Sequence, residues 1–359
     1  MIQNEFKKYA IDTKSVIDNT LSIFFDKKIK DAKQYDISYQ RLVQSLAKQT
    51  LRGGKRLRPI LSILGYRMAG GDKNKEIVQA ACALEIFHNF LLIHDDIMDR
   101  DDYRHGGLNI TGHYKKKLKA TLKEKTELDH LASSLALLAG DISFGLSSEI
   151  LMSSGFESDL LISAQQRLNK AVFEVAAGQQ LDVLSAYKKE LSLNKILKIY
   201  SYKTADYSVT LPLQFGAILA GTKSDVQSAI QEFGQKVGIA FQLTDDILGM
   251  FKNEKELGKP IYSDLREGKQ TILMHYGFLL SNAKEKDLLR SYFKNPNIGQ
   301  KELLKTRNIL ESNGSKTKTS LLAQQHVDDA IKLIPKITGE RDLQIILKEF
   351  ALFCIKRNK

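Results

Sequence analysis

Residues 77–99 read IVQAACALEIFHNFLLIHDDIMD, an apolar run that closes on three carboxylates. Ile77, Ala80, Ala81, Leu84, Phe87, Leu91 and Leu92 recur at three- and four-residue intervals, the spacing of one helix face. Asp95, Asp96 and Asp99 then fall at the C-terminal end of that helix, where the backbone dipole disfavours anions. Asp95 and Asp99 lie about 40° apart around the axis and repel, so a solvated acidic cluster fits badly and a positive partner is expected. A hard divalent cation such as Mg²⁺, which takes oxygen ligands and keeps several waters, meets that need.

Working outward, Phe233, Val237, Phe241 and Leu248 repeat the stripe around FQLTDDILG, residues 241–249. Gln242, Asp246 and Gly249 share a face there, with Asp245 alongside. Two Asp-Asp pairs on two helices can clamp one ligand, and a ligand that shares oxygens among two or three Mg²⁺ ions is most simply a diphosphate. No stretch alternates with period two. Breaks at Gly70-Gly71-Asp72, Gly106-Gly107, Ser153-Ser154-Gly155, Gly221-Thr222 and Gly258-Lys259-Pro260 divide helices of about 15–30 residues. Five prolines, no tryptophan and 43% hydrophobic residues in a 359-residue chain argue against disorder and against a β-sandwich. The expected fold is all-α, a single large helical bundle with a deep central cavity, and no linker divides residues 1–359 into domains.

A net charge of +12 admits nucleic acid, an anionic membrane or a phosphorylated substrate. The densest basic stretch, Lys115 to Lys125, lacks the aromatic or glycine interleaving of a nucleic-acid surface and reads as a solvated helix face, so no nucleic-acid partner is expected. GGKRLRP, residues 53–59, is different. Paired glycines let backbone approach an anion, and Lys55 and Arg58 can converge on phosphate oxygens. With Arg104, Lys203, Lys259 and Lys269 this points to a second, metal-free phosphate site. His88 stands seven residues before Asp95 and about 20° off the same face, which favours ligand contact over a core role. Cys82 and Cys354 sit among apolar neighbours and read as reduced buried thiols. The N-terminus lacks a signal pattern and no apolar run reaches the roughly 20 residues of a bilayer span, so a cytoplasmic protein is expected.

Taken in order, GGKRLRP, DDIMD with RHGG downstream, AGD at Ala139–Asp141, GQQLD at Gly178–Asp182, YKTA at Tyr202–Ala205, FQLTDDILG, GKP and DLREGKQT resemble the trans-isoprenyl diphosphate synthases of the polyprenyl synthetase family. The motifs span about residues 51–273, with further C-terminal helices at about 300–359. The resemblance implies an isoprenoid synthase bundle and a prenyltransferase of the geranylgeranyl or farnesyl diphosphate synthase kind. It implies two or three Mg²⁺ ions on Asp95, Asp96, Asp99, Asp245 and Asp246, with Asp182 beside them. An allylic diphosphate would meet Arg104, Lys203 and Lys259, with Gln179 and Gln242 nearby. Isopentenyl diphosphate would meet Lys55, Arg58, His88, His105 and Lys269, and Thr204 and Gln242 would stabilise developing positive charge.

Phe90, five residues before Asp95, and Leu91, four before, would set product length at geranylgeranyl diphosphate, with farnesyl diphosphate as the alternative. Helical geometry alone puts Leu91 nearer the Asp95 face than Phe90. His105 replaces the family's second arginine and Gly249 its third aspartate, which leaves a weakly active or non-catalytic subunit of a heteromeric synthase as another reading. A homodimer and transient membrane contact for product release are further expectations of the resemblance.

Overall fold

The sequence breaks reappear as helix ends in the computed structural model, which describes residues 5–185, 187, 190–222, 224–252, 263–295 and 297–356. Ten helices lead through the motifs: α1 (Glu5–Ala32), α2 (Ile37–Leu51), α3 (Leu57–Met68), α4 (Asn74–Met98), α5 (Ile110–Leu118), α6 (Lys125–Met152), α7 (Ser158–Ser185), α8 (Leu193–Tyr200), α9 (Leu211–Leu219) and α10 (Ser224–Phe251). Shorter helices follow, ending in Arg341–Ile355. Among the described residues the strands are β1 (Tyr103–Arg104) and β2 (Gly107–Leu108), an antiparallel pair too short for a period-two signal. The all-α expectation holds. The break expected at Gly258-Lys259-Pro260 lies outside the described residues.

The chain divides into two compact units that interleave in sequence. The N-terminal unit is Lys7–Gln165 together with Gly216–Gly221. Its core is Ile17, Leu21 and Phe25 from α1, Leu46 from α2, Ile60, Leu61 and Leu64 from α3, and Ile77 and Phe87 from α4, all fully buried. Small residues let helices close: Ala136, Ala139 and Gly140 of α6 lie against α4, and a Cβ on Gly140 would stand 2.3 Å from His94 Nε2. Gly216 is tighter still, since its Cβ would stand 1.9 Å from the Ser62 carbonyl oxygen. The C-terminal unit is Met1–Phe6, Gln166–Phe215 and Thr222–Lys359. There α10 packs on Ser201–Thr210 and on the helix Ser315–Ile331, burying Phe233, Val237 and Leu243. Burying one such side chain contributes about 1.5–3 kcal/mol.

The bilayer-length expectation needs correction: α4 and α6 are both long and apolar enough for a span. In α4 that hydropathy serves packing, with 61% of its most apolar window buried, whereas α6 has 44% buried and leaves Leu131, Leu137 and Leu138 exposed.

Candidate active site

At the end of α4, Asp96 is turned inward and only 2% exposed. Arg104 on β1 donates from Nε to Asp96 Oδ1 at 2.8 Å and again from Nη2, and it reaches Asp95 Oδ2 at 3.6 Å. The hairpin delivers that guanidinium because its backbone is pinned: the Asn109 side chain donates to the Asp101 carbonyl at 2.6 Å and accepts from Gly112 N, capping α5. Desolvation still outweighs the arginine and pushes the Asp96 carboxyl up to about 6. Its second oxygen, Oδ2, is buried without a hydrogen-bond partner. Asp95 and Asp99 stand part-exposed beside it, with Asp99 N–H donating to the Asp95 carbonyl at 2.8 Å.

The basic loop is built differently from its sequence reading. Lys55 and Arg58 are presented near the surface, but Arg56 between them points inward, 3% exposed, and pairs with Asp18 of α1 at 2.7 Å and Glu85 of α4 at 2.6 Å. A non-glycine φ of 51° at Arg56 makes the turn that starts α3. His88 lies in the field of Arg58, Arg104, His105 and Arg56, and burial first and these neighbours second, Arg58 and Arg104 foremost, hold its imidazole well below the ordinary range. Four of the expected isopentenyl and allylic contacts, Arg58, His88, Arg104 and His105, therefore gather in one electrostatic neighbourhood. Phe90 packs on Phe144 at 5.3 Å and edge-on to His94 at 4.8 Å; it and Leu91 are both partly buried. His94 stands 3.7 Å from Asp141 of the AGD motif.

The C-terminal unit holds the second set. Asp246, 6% exposed, accepts from the Tyr200 hydroxyl and, at 2.9 Å, from Gln242 Nε2 one turn earlier. Gln242 Oε1 accepts from Thr204 Oγ1 at 3.0 Å, so its amide orientation is fixed at both ends. Tyr200 also accepts from Ile272 N–H at 2.9 Å, tying this aspartate to the end of DLREGKQT. Burial, then Asp246, hold the phenol far above its ordinary range, so it remains a donor. Asp245 is part-exposed beside it. Lys203 pairs with Asp182 of GQQLD, Gln179 is partly buried on the same helix, and Lys269 pairs with Glu267 at 2.9 Å. Lys259 lies outside the described residues.

Lys203 and Thr204 ride on Ser201–Thr210, a π-helical segment whose wider turn shifts side chains relative to an α-helix. Glycines make room for it: a Cβ on Gly178 would stand 2.5 Å from Lys203 N, and one on Gly238 2.4 Å from Ala205 Cα. Arg167 braces the segment, donating to both Asp206 oxygens and to Gln214 Oε1, each at 2.8 Å. Tyr200, Arg56 and Arg167 escaped the sequence reading. A tyrosine three residues before Lys203 was the available signal for the first, and an arginine beside Lys55 for the second.

Among the described residues no three carboxylate, imidazole or thiol groups gather as a closed metal cage. Buried and part-exposed carboxylates with an unpartnered Oδ2 on Asp96 suit a Mg²⁺ that keeps waters and takes its other oxygens from a diphosphate.

The family model described as polyprenyl synthetase matches residues 40–310. A geranylgeranyl diphosphate synthase of Sulfolobus acidocaldarius is 32% identical over 315 residues, covering 86% of this chain and 88% of that protein. A geranylfarnesyl diphosphate synthase of Aeropyrum pernix is 29% identical, covering 85% and 91%. The geranylgeranyl pyrophosphate synthase of Corynebacterium glutamicum, solved with isoprenyl diphosphate and magnesium, superposes with a TM-score of 0.90 at 25% identity, covering 96% of this chain and 99% of that one.

Proposed function

Because the chain belongs to the polyprenyl synthetase family, we propose that this prenyltransferase condenses isopentenyl diphosphate with an allylic diphosphate and releases geranylgeranyl diphosphate as its main product. The observation that carries the reading is that each Asp-Asp pair ends a long helix with its second aspartate built into a polar network, Arg104 on Asp96 and Tyr200 with Gln242 on Asp246. The allylic C–O bond ionises, the isopentenyl double bond attacks the allylic carbon, and the proton lost from the adduct goes to the released diphosphate. Two or three Mg²⁺ ions, when bound, supply charge neutralisation to that leaving group. Asp95, Asp96, Asp99, Asp182, Asp245 and Asp246 hold the ions. Arg104, Lys203 and Lys259 bind the allylic diphosphate oxygens. Lys55, Arg58, His88, His105 and Lys269 hold isopentenyl diphosphate, with Gln179 alongside. Thr204 and Gln242 turn fixed dipoles toward developing positive charge, and their mutual hydrogen bond spares reorganisation during the reaction.

Phe90, wedged against Phe144 and His94, supports an intermediate pocket floor and hence the geranylgeranyl length. The exposed leucines 131, 137 and 138 of α6 support a homodimer. Incubating the purified protein with Mg²⁺, isopentenyl diphosphate and each allylic starter, then sizing the products, tests the assignment. Failure to extend any starter would favour a non-catalytic subunit.

A further inference from the structure

Between α2, the β1–β2 turn and α5 lies a cavity of about 670 Å³, wholly within the N-terminal unit. Lys48 of α2 and Arg52, which caps the end of that helix one turn on, line it together with His113, Lys116 and Lys117 of α5. The proposed reaction uses none of these five. Among the described residues no carboxylate lines the cavity, and Asp102 and Asp129 both pair with Lys115, at 2.9 and 3.1 Å. Among the described residues no acidic group pairs with Lys48, Arg52, Lys116 or Lys117.

The cavity wall is a fixed structure. Buried Gln49 accepts from Ile110 N–H at 3.0 Å and donates to Asn89 at 3.1 Å, which joins α2 to the start of α5. Arg52 donates to the carbonyls of Arg104 at 3.1 Å and Leu108 at 2.8 Å, one on each strand. Gly107 permits this, since a Cβ there would stand 2.8 Å from Arg52 Nη1. Partial burial, then Lys117, Lys48, Arg52 and Lys116, all push the His113 imidazole below its ordinary range, so four cations act on one ring. Lys48, His113, Lys116 and Lys117 are exposed to solvent, so an anion can reach them and offset their mutual repulsion, and lysine ammoniums around an arginine match phosphoryl oxygens. Arg52 also links the cavity to the site, because it holds the carbonyl of the residue whose guanidinium holds Asp96.

We propose that the cavity bounded by Lys48, Arg52, His113, Lys116 and Lys117 is a binding site for a phosphoryl anion, a phosphate monoester or diphosphate group, separate from the two substrate diphosphates. A free phosphorylated molecule and a phosphomonoester lipid headgroup offer the same chemistry, so the test has two arms. In the first, the full chain carrying ¹³C-histidine is titrated with inorganic pyrophosphate in EDTA, and the His113 resonance, assigned with His113→Gln, is followed by NMR. In the second, the protein is sedimented with phosphatidylcholine vesicles with and without phosphatidic acid. Each arm compares the wild type with Lys48→Ala/Lys116→Ala/Lys117→Ala and with Lys55→Ala/Arg58→Ala.

Pyrophosphate is expected to move the His113 resonance, with apparent affinity weakened at least about tenfold by the triple substitution and unchanged in Lys55→Ala/Arg58→Ala. The triple variant should keep its turnover without added anion, which shows that it folds. Phosphatidic-acid-dependent sedimentation that the triple variant loses identifies a headgroup as the ligand; a resonance shift without sedimentation identifies a free anion. The proposal is overturned if pyrophosphate leaves His113 unmoved, or moves it equally in the triple variant, while vesicle binding is absent or survives the triple substitution.

Discussion

Asp96 and Asp246 hold equivalent places, each the second aspartate of a pair closing a long helix and each less than a tenth exposed, yet they are held by opposite means. Asp96 meets a guanidinium carried in on a hairpin, while Asp246 meets a phenol and a carboxamide from its own unit. An ion pair out of water is stable only while both partners remain, whereas hydrogen bonds from neutral donors orient a carboxylate by their dipoles. Charge from Arg104 thus fixes one aspartate, and the Tyr200 and Gln242 dipoles aim the other.

The broadest way to break the contrast is to remove a carboxylate from each side. Asp95→Ala and Asp245→Ala are each expected to lower kcat by about 10³- to 10⁵-fold with unchanged helicity by circular dichroism, since both sets serve ionisation. Near-normal turnover of either variant, or of the wild type in excess EDTA, would remove that set from the site.

Removing the partners instead separates the two sides. Arg104→Gln leaves buried Asp96 without its cation and should cost about 3–5 kcal/mol in urea unfolding, as broken buried pairs do. Tyr200→Phe removes a neutral donor and the acceptor of Ile272 N–H, and should cost about 1–3 kcal/mol. Equal losses would show that the guanidinium is no more than another hydrogen-bond donor.

The pH dependence sharpens the first side. With its carboxyl raised to about 6, folded Asp96 holds a proton through a window in which the unfolded chain, near 3.8, has lost it. Folding therefore takes up a proton there, and the metal-free protein loses this contribution as pH rises from about 4 to 6, by about 3 kcal/mol. Mg²⁺ offsets the charged form, so the rise in Tm on adding Mg²⁺ should be larger at pH 7 than at pH 5. An equal rise at both values means that proton and metal do not compete at Asp96.

Product length depends on the α4 side. Phe90→Ala should remove a wall set against Phe144 and lengthen the product by one or more five-carbon units on product chromatography. An unchanged distribution, with a shift in Leu91→Ala instead, would move the floor one residue along. The smallest expected change is at His105, whose imidazole is held below its ordinary range by burial and then by Arg104. It is neutral at pH 7, so His105→Arg should lower the KM for isopentenyl diphosphate several-fold and leave the allylic KM alone; an unaltered KM places His105 outside that site.

The helices were legible because their apolar stripes are local, and the aspartates because three carboxylates after FLLI are hard to solvate. Arg104 was legible as a phosphate-binding cation, but its pairing with Asp96 was not, since that depends on a hairpin of two-residue strands. Arg56 read as one more cation in a basic loop. Its partners Asp18 and Glu85 are far away in sequence, and burial depends on contacts that no local window contains. The π-helical segment was invisible for the same reason, because Gly178 and Gly238, which admit its wider turn, lie on other helices. The apolar content of α4 and α6 was underestimated because polar residues interrupt both runs, although averaged over a window each reaches spanning hydropathy.

Gly216–Gly221 completes the N-terminal unit, although Gln166–Phe215 of the other unit precedes it. During synthesis, then, residues 7–165 leave the ribosome without Gly216, which closes on the Ser62 and Tyr66 backbone of α3, and without the rest of the strip to Gly221. The first half of the protein is finished by its second half, so a fragment cut at any point before Gly216 lacks a wall of its own unit, and a nascent chain must keep α3 from other apolar surfaces in the interval.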